Sequence, residues 1–465
     1  MNAKAQIENV KTLASALGID ENKAMQLLDV SVAVTYEPTN KEDSIFASHV
    51  ERIISRTVTK TFGMDSNSSG AAVELVVGEA RPRISAKRIY ACFDATEVRI
   101  GEIKTKHHPK SARPIGLLLG ACYAVGAMLK SAFDNLLPFP SAPMLQINLE
   151  ELFGDDLDCF DGIVDFGEVV LAGAGAIGNG FVYALSQIQV KGTLDIVDDD
   201  VVSEGNLQRC LFFGEPHIGF NKCDCLRDLI SARLPLVTIR SHKARLQNVE
   251  FRKSGAWLKR LVVAVDSPRA RRALQGEIPG EVFDASTTGI EEVVFHFNKQ
   301  PTDLACLSCA YHESPEEAAH EQHVAEALGV SVAEVKRERI SPDAAQRIKI
   351  RYPDVTVEEI SGTAFDTLFK QLCGAQKLRT PEGKQVLAPF AFVSVMAGTI
   401  LAMEFIRRVA RSNKTIFNDW ALSPWTNPII RRRRLQAKRS DCEFCGNETI
   451  SRVAKSIWAQ GQELR

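Results

Sequence analysis

Apolar and polar residues change rhythm several times along the chain. Asn9 to Leu17 and Glu21 to Leu28 are polar stretches with helix-like spacing. Ser31 to Tyr36 reads as a strand and Phe46 to Val58 as a helix. Ala71 to Val77 and Ile89 to Phe93 read as strands, followed by a helix-like apolar run from Pro114 to Phe133. Leu136 to Pro143 and Asp155 to Gly162 are rich in Pro, Asp and Gly, as in a linker. Val169 to Ala172 is apolar without a charge, as expected of a parallel strand buried on both faces. Phe181 to Ile188 reads as a helix, and a second short strand starts near Leu194. Val282 to Thr288 and Val293 to Phe297 continue the sheet. Residues 310–372 carry more charge and a helical pattern: Pro315 to Leu328, Val332 to Glu338, Pro342 to Ile348. An apolar helix over 386–408 rejoins the core, and Ile416 to Ser440 carries Arg431 to Arg434 towards its end, read as a solvated edge strand. This alternation predicts an α/β fold with a doubly wound, mostly parallel sheet.

The chemistry begins at Gly173, Gly175 and Gly178, which follow the strand at once in G-x-G-x-x-G spacing. Glycines let the backbone approach a phosphate, and the next helix offers free N–H groups to it. Asp198 stands at the end of the second strand, where a carboxylate can accept from ribose hydroxyls. Taken alone, this fits a nicotinamide or flavin enzyme as well. The continuation favours another chemistry. Asp198, Asp200, Asn206 and Arg209 crowd into one short stretch, and Lys222 follows soon after it. Hydride transfer has little use for Arg and Lys there. A triphosphate losing pyrophosphate needs fixed cations.

These residues resemble the ThiF/MoeB and ubiquitin-activating adenylyltransferases, whose pattern is G-x-G-x-x-G, then D-x-D-x-V-x-x-x-N-L-x-R-Q, then Lys. Asp198, Asp200, Val202, Asn206, Leu207, Arg209 and Lys222 match it, with Cys210 where Gln is usual. Asp266 matches the family's magnesium-holding Asp, with Ser267 where Asn is commoner. The resemblance is dense over 165–290 and returns at the later cysteines and at 388–408.

Composition narrows the partners. Of 465 residues, 45% are hydrophobic and 25% charged, with a net charge of −2. That gives no electrostatic case for nucleic acid or an anionic membrane. Pro114 to Leu129 and Val386 to Met403 are uncharged but short for a membrane span, so both are expected as buried helices. The N-terminus lacks the apolar core of a signal peptide, and eleven cysteines is an odd count. Both favour the cytoplasm, with thiols used for metal or chemistry.

Cys306/Cys309 and Cys442/Cys445 are two C-x-x-C pairs, a donor set suited to structural zinc, with buried thiols or a redox pair as the alternatives. The gap from Cys309 to Cys442 is long, but distant pairs meet in ThiF/MoeB relatives. Cys373 lies in the region where thioester-forming relatives keep their nucleophile, between Lys370 and Lys377. Its alternative is a small core residue. Cys92, Cys122, Cys159, Cys210, Cys223 and Cys225 read as structural.

The resemblance implies this organisation. Residues 1–162 form an inactive adenylation-like domain and 163–309 the active one. A helical insertion with the cysteine region covers 310–385, and 386–465 closes the zinc site. Gly120-Ala-Cys-Tyr-Ala echoes Gly398-Thr-Ile-Leu-Ala, as two copies would. An unrelated recognition domain is the alternative. The stretch from Cys445 to Arg465 is too short for the family's C-terminal ubiquitin-fold domain, which is therefore not expected. In relatives an Arg of the inactive half reaches ATP; Arg52 and Arg56 are the candidates here.

The implied cofactors are ATP, magnesium and zinc. The implied partners are a ubiquitin-like protein with a C-terminal Gly and a conjugating enzyme, as in bacterial antiviral conjugation operons. The two halves would form an intramolecular pseudo-dimer, with a homo-oligomer left open. A sulfur-carrier adenylyltransferase and a nucleotide-binding scaffold are the competing functions.

Overall fold

The computed structural model describes residues 3–58, 60–64, 70–140, 142–154, 156–253, 257–313, 315–337, 339–363, 365–372, 388–411 and 417–458. The chain divides into two compact units, Met1–Tyr311 with Leu387–Arg465, and His312–Val386.

The larger unit holds two sheets. The first has β1 (Ser31–Thr35), β2 (Lys60–Phe62), β3 (Val73–Val77), β4 (Lys87–Phe93), β5 (Glu97–Gly101) and β6 (Met144–Asn148). Their order is β2-β1-β3-β4-β5-β6, with β1 to β4 parallel and β5 and β6 antiparallel. The second has β7 (Val164–Ala172), β8 (Val190–Val197), β9 (Val237–His242), β10 (Arg260–Val263), β11 (Glu281–Thr288), β12 (Glu292–Lys299), β13 (Asp419–Leu422) and β14 (Arg432–Arg434). Their order is β9-β8-β7-β10-β11-β12-β13-β14, parallel through β11 and antiparallel beyond it.

Without its two edge strands, the second order repeats the first. β8-β7-β10-β11-β12-β13 stands strand for strand on β2-β1-β3-β4-β5-β6. The helices follow suit. Lys41–Ile54 lies between β1 and β2 as Ala176–Leu185 lies between β7 and β8. Pro114–Ala132 precedes β6 as Ala391–Ala410 precedes β13. The weak echo at Gly120 and Gly398 therefore falls on corresponding helices. The fold is α/β, with a degenerate copy followed by a second copy that keeps the Gly loop.

One apolar core runs through both halves, with Tyr123 and Phe133 from the Pro114–Ala132 helix and its end, and Phe392 and Phe405 from Ala391–Ala410. Gly180 and Gly398 let two helices approach closely, since a Cβ on Gly398 would lie 2.4 Å from the backbone of Gly180. Phe405 then reaches the rings of Phe166, Phe181 and Phe283. Among the described residues, Pro114–Ala132 is the one helix long and apolar enough to cross a membrane, and it is buried as a core helix. Ala391–Ala410 is likewise buried along nearly all its length.

Several boundaries differ from the sequence pattern. The helix expected over 46–58 runs Lys41–Ile54, because Asn40 caps it and accepts from Glu42 and Asp43 N–H. The helix expected from Phe181 starts at Ala176, directly on the Gly loop. Strands β2, β5, β6 and β9 went unread; they are short or lie at half-exposed edges. Residues 156–160, expected as linker, bury Leu157, Cys159 and Phe160.

Arg431 to Arg434 are not simply solvated. β14 is an edge strand, but Arg431 and Arg433 donate to the carbonyls of Glu151 and Leu152. Arg433 also lies 4.3 Å over the Phe417 ring. The cations thus satisfy carbonyls at the end of helix Leu149–Phe153.

The smaller unit is helical: Pro315–Leu328, Val332–Val335, Pro342–Arg351, Val357–Ile360 and Phe365–Leu372. Its own core includes Val324, Leu328, Ile348, Phe365 and Phe369. Ser331 and Ser341 cap its inner helices through their hydroxyls.

Candidate nucleotide site and cysteine cluster

The chain leaves β7 towards β8 on one side and later returns to β10 on the other. The carboxyl ends of β7 and β10 therefore open a crevice, the usual ligand position in such sheets. The Gly loop follows β7. Gly173 has φ +104°, and a Cβ there would lie 2.6 Å from the Ala264 carbonyl. A Cβ on Gly178 would lie 2.1 Å from the Gly173 carbonyl. At Gly175 a Cβ would meet nothing within 4 Å, so this face of the loop is bare for a ligand. Gly175 is also the N-cap of helix Ala176–Leu185, and no side chain accepts from that helix start. Such N–H groups favour an anion.

Asp198 ties the loop to the end of β8. Its Oδ2 accepts from Ala174 N at 2.7 Å and its Oδ1 from Asp200 N at 2.8 Å. Burial pushes its carboxyl above the usual range, against the pull of Lys222. Lys222 Nζ donates to Asp200 Oδ2 at 3.0 Å. Burial opposes its charge, but Asp198 and Asp200 outweigh that and raise its ammonium above the usual value. Asp198, Asp200 and Lys222 thus form one acid–base cluster beside the loop.

Asn206 closes a short helical turn, with its side-chain oxygen accepting from Ser203 N at 2.9 Å. Arg209 Nη1 donates to the Gly205 carbonyl at 3.0 Å. Asp266 follows β10 and is exposed. Neighbouring Ser267 caps helix Pro268–Gly276, whose Arg271 is buried against Asp284 at 2.8 Å.

Asn179 was missed by the sequence reading. Its Nδ2 donates to the carbonyls of Ala174 and Gly175, each at 2.9 Å, and its Oδ1 accepts from Phe212 N at 3.1 Å. One fully buried amide therefore fixes the Gly loop to the segment following Arg209. The signal was an Asn between two glycines in an otherwise apolar helix start. Arg52 and Arg56, the candidates for reaching ATP, direct hydrogen bonds to the backbone carbonyls of Leu207, Leu211 and Phe213, on either side of Arg209.

The two C-x-x-C pairs meet. Cys306 Sγ lies 3.8 Å from Cys309 and 3.7 Å from Cys442, and Cys309 lies 3.2 Å from Cys445. All four sulfurs lie within 4.8 Å of one another and are buried. A tetrahedron with metal–sulfur bonds of about 2.3 Å has edges of about 3.8 Å, so the cluster suits one metal ion. Hydrogen bonds among the four thiols lower Cys309 and Cys442 below the ordinary value and raise Cys306 and Cys445 above it. Cys92, Cys122, Cys159, Cys210, Cys223 and Cys225 are buried. Burial raises Cys223 to about 11, away from the reactive thiolate. Cys373 lies outside the described residues.

A family model described as the ThiF family matches residues 150–444. The chain belongs to the ThiF family. It is an ATP-using adenylyltransferase of the ThiF/E1 type. A second model, the E1 N-terminal domain, matches residues 1–152 of this ThiF-family chain. The uncharacterized protein y4jF of Sinorhizobium fredii is 25% identical over 394 residues, 80% of this chain and 75% of its own. The probable adenylyltransferase/sulfurtransferase MoeZ of Mycobacterium tuberculosis is 42% identical over 78 residues. That match covers 17% of this chain and 20% of MoeZ. Among solved structures, Escherichia coli MccB with ATP is 14% identical, with a TM-score of 0.37. The match covers 77% of this chain and 98% of MccB.

Proposed function

We propose that this ThiF-family protein activates the C-terminal carboxylate of a ubiquitin-like protein, using ATP. The observation that supports the reading most is the bare Gly loop with Asp198, Asp200 and Lys222 gathered beside it. A carboxylate oxygen attacks the α-phosphorus, a P–O bond forms, and the bond to pyrophosphate breaks. Gly173, Gly175 and Gly178 allow close approach, and the helix N–H groups face the phosphates. Asp198 and Asp200 hold ribose and Lys222. Arg209 and Lys222 neutralise charge leaving with pyrophosphate, and Asn206 keeps the Arg209 turn in shape. Asp266 would hold magnesium, which supplies charge neutralisation at phosphate oxygens when bound. Cys306, Cys309, Cys442 and Cys445 would hold structural zinc.

In the second step the Cys373 thiolate attacks the acyl carbon of the mixed anhydride. A C–S bond forms and AMP leaves. The acyl group then passes to a cysteine of a conjugating enzyme. The setting is a bacterial antiviral conjugation pathway in the cytoplasm. A sulfur-carrier substrate is the second reading, favoured by the local match to MoeZ. No nucleic acid or membrane takes part.

A pyrophosphate-exchange assay with candidate ubiquitin-fold proteins tests the first step. Cys373→Ala is expected to keep exchange but lose a partner adduct that reducing agents cleave. An adduct that persists in this variant assigns the step to another cysteine. Exchange without any adduct in wild type selects the sulfur-carrier reading.

A further inference from the structure

The first half sends two guanidinium groups to the second. Arg56 sits just past helix Lys41–Ile54. Its Nη1 donates to the carbonyls of Leu207 at 2.6 Å and Phe213 at 2.9 Å, and its Nη2 to Leu211 at 2.9 Å. Arg56 is itself fixed, since Asn9 Nδ2 donates to its carbonyl at 2.8 Å. Arg52 lies 5.1 Å over the Tyr183 ring and 5.2 Å over Phe212, and donates to Leu211 at 3.4 Å.

Three carbonyls of one short segment turn towards one cation. Their dipoles repel one another, and buried carbonyls without a donor are costly. The guanidinium therefore reinforces a curl that the Arg209, Cys210 and Phe213 amides also hold, through the carbonyls of Asn206 and Cys210. Asn179 holds the same segment from the other side, through Phe212 N, and also binds the Gly loop. Arg209 lies inside this clamped segment, and Asn206 immediately precedes it.

We infer that Arg56 is a positioning residue for nucleotide binding, acting through residues 207–213 to hold Arg209 at the crevice. The inference rests on reading that crevice as the ATP site. The first half thereby serves the reaction without contacting the nucleotide through this residue. Lysine cannot substitute well, because one ammonium does not present the planar fork that spans separate acceptors.

The test is calorimetric titration of the full chain with a non-hydrolysable ATP analogue. Variants Arg56→Lys, Arg209→Lys and the double variant are compared after circular dichroism confirms folding. Arg56→Lys is expected to weaken binding roughly tenfold, the scale of a lost charge-assisted contact. The double variant is expected within about twofold of Arg209→Lys, because the two act as one unit. A purely structural role would lower the melting temperature and leave the affinity of folded protein unchanged. Wild-type affinity in Arg56→Lys overturns the inference, as does full additivity in the double variant. If Arg56→Lys does not fold, Arg52→Gln removes the weaker bond to Leu211 and is expected to cost about threefold in affinity; no change overturns the proposal. A wild type that binds no analogue refutes the ATP reading itself, whereas a failure confined to Arg56 leaves that reading standing.

Discussion

The two halves share strand order and helix placement, yet they present different chemistry at the same topological point. In the second half, helix Ala176–Leu185 begins at Gly175 with no capping side chain. In the first, helix Lys41–Ile54 begins at Asn40, whose side chain accepts from two of its N–H groups at 3.1 and 3.2 Å. The donors that would face a phosphate are already occupied. Asp43 then places a buried carboxylate in the first turn, bonded to His107 Nε2 at 2.8 Å. His107 Nδ1 accepts from Phe93 N at 3.2 Å, so the imidazole is the neutral Nε2–H tautomer, donating to Asp43. Gly78 makes room for that ring, since a Cβ there would lie 2.4 Å from Nε2. Nearby, Arg83 donates to Thr35, whose hydroxyl donates to buried Glu74 at 2.7 Å. A doubly wound sheet therefore supplies the place for a nucleotide, while local donors and side-chain volume decide whether one can enter.

Disabling one half's chemistry at a time separates the roles of the two halves. Arg209→Ala or Asp266→Ala is expected to lower partner-dependent pyrophosphate exchange by about 100-fold or more, the scale for losing a preorganised charge partner. Wild-type exchange in either variant would remove the adenylation mechanism. The folded state of each is checked by its melting curve.

The second sheet alone extends through β14 into the cysteine cluster. Metal analysis is expected to find about one zinc per chain. Cys442→Ser is expected to release it and lower the melting temperature by roughly 10 °C, because metal binding is coupled to folding. Purified wild type without metal would end this assignment.

His107→Ala, at the filled position of the first half, is expected to cost about 1–3 kcal/mol, since it strands a buried carboxylate. Denaturant melts measure that loss. ATP affinity of the folded variant should change by less than about twofold. A large drop in affinity would show that the first half also feeds the crevice through this pair.

The smallest effect concerns the seam between halves, where His49 Nδ1 meets the Tyr183 hydroxyl at 2.8 Å. Burial, reinforced by Arg52 and Arg233, lowers His49 from 6.5 to about 3. Between those values the unfolded chain binds the extra proton. Stability is therefore full above pH 6.5 and is lost as pH falls towards 3. His49→Asn is expected to shift the acid-unfolding midpoint down by roughly half a pH unit, as followed by circular dichroism. An unchanged midpoint would show that other groups govern acid unfolding.

The amino-acid order alone determined the features built from neighbouring residues. The Gly loop, the acid at the end of the second strand, the Arg and Lys after it and each C-x-x-C pair are short-range patterns. Their chemistry follows from local backbone geometry and donor type, so they can be read from spacing. Helix starts were less legible, because Asn40 and Gly175 act through bonds that hydropathy does not register. Tertiary structure alone decided the rest. That Cys306 and Cys309 meet Cys442 and Cys445, that Arg431 and Arg433 cap a helix near residue 151, and that Asn179 and Arg56 clamp one segment are contacts between distant positions. The repetition of strand order was hidden for a related reason. Packing constrains which strands neighbour each other far more tightly than which apolar side chains fill the space between them, so two copies can keep one topology with little sequence left in common.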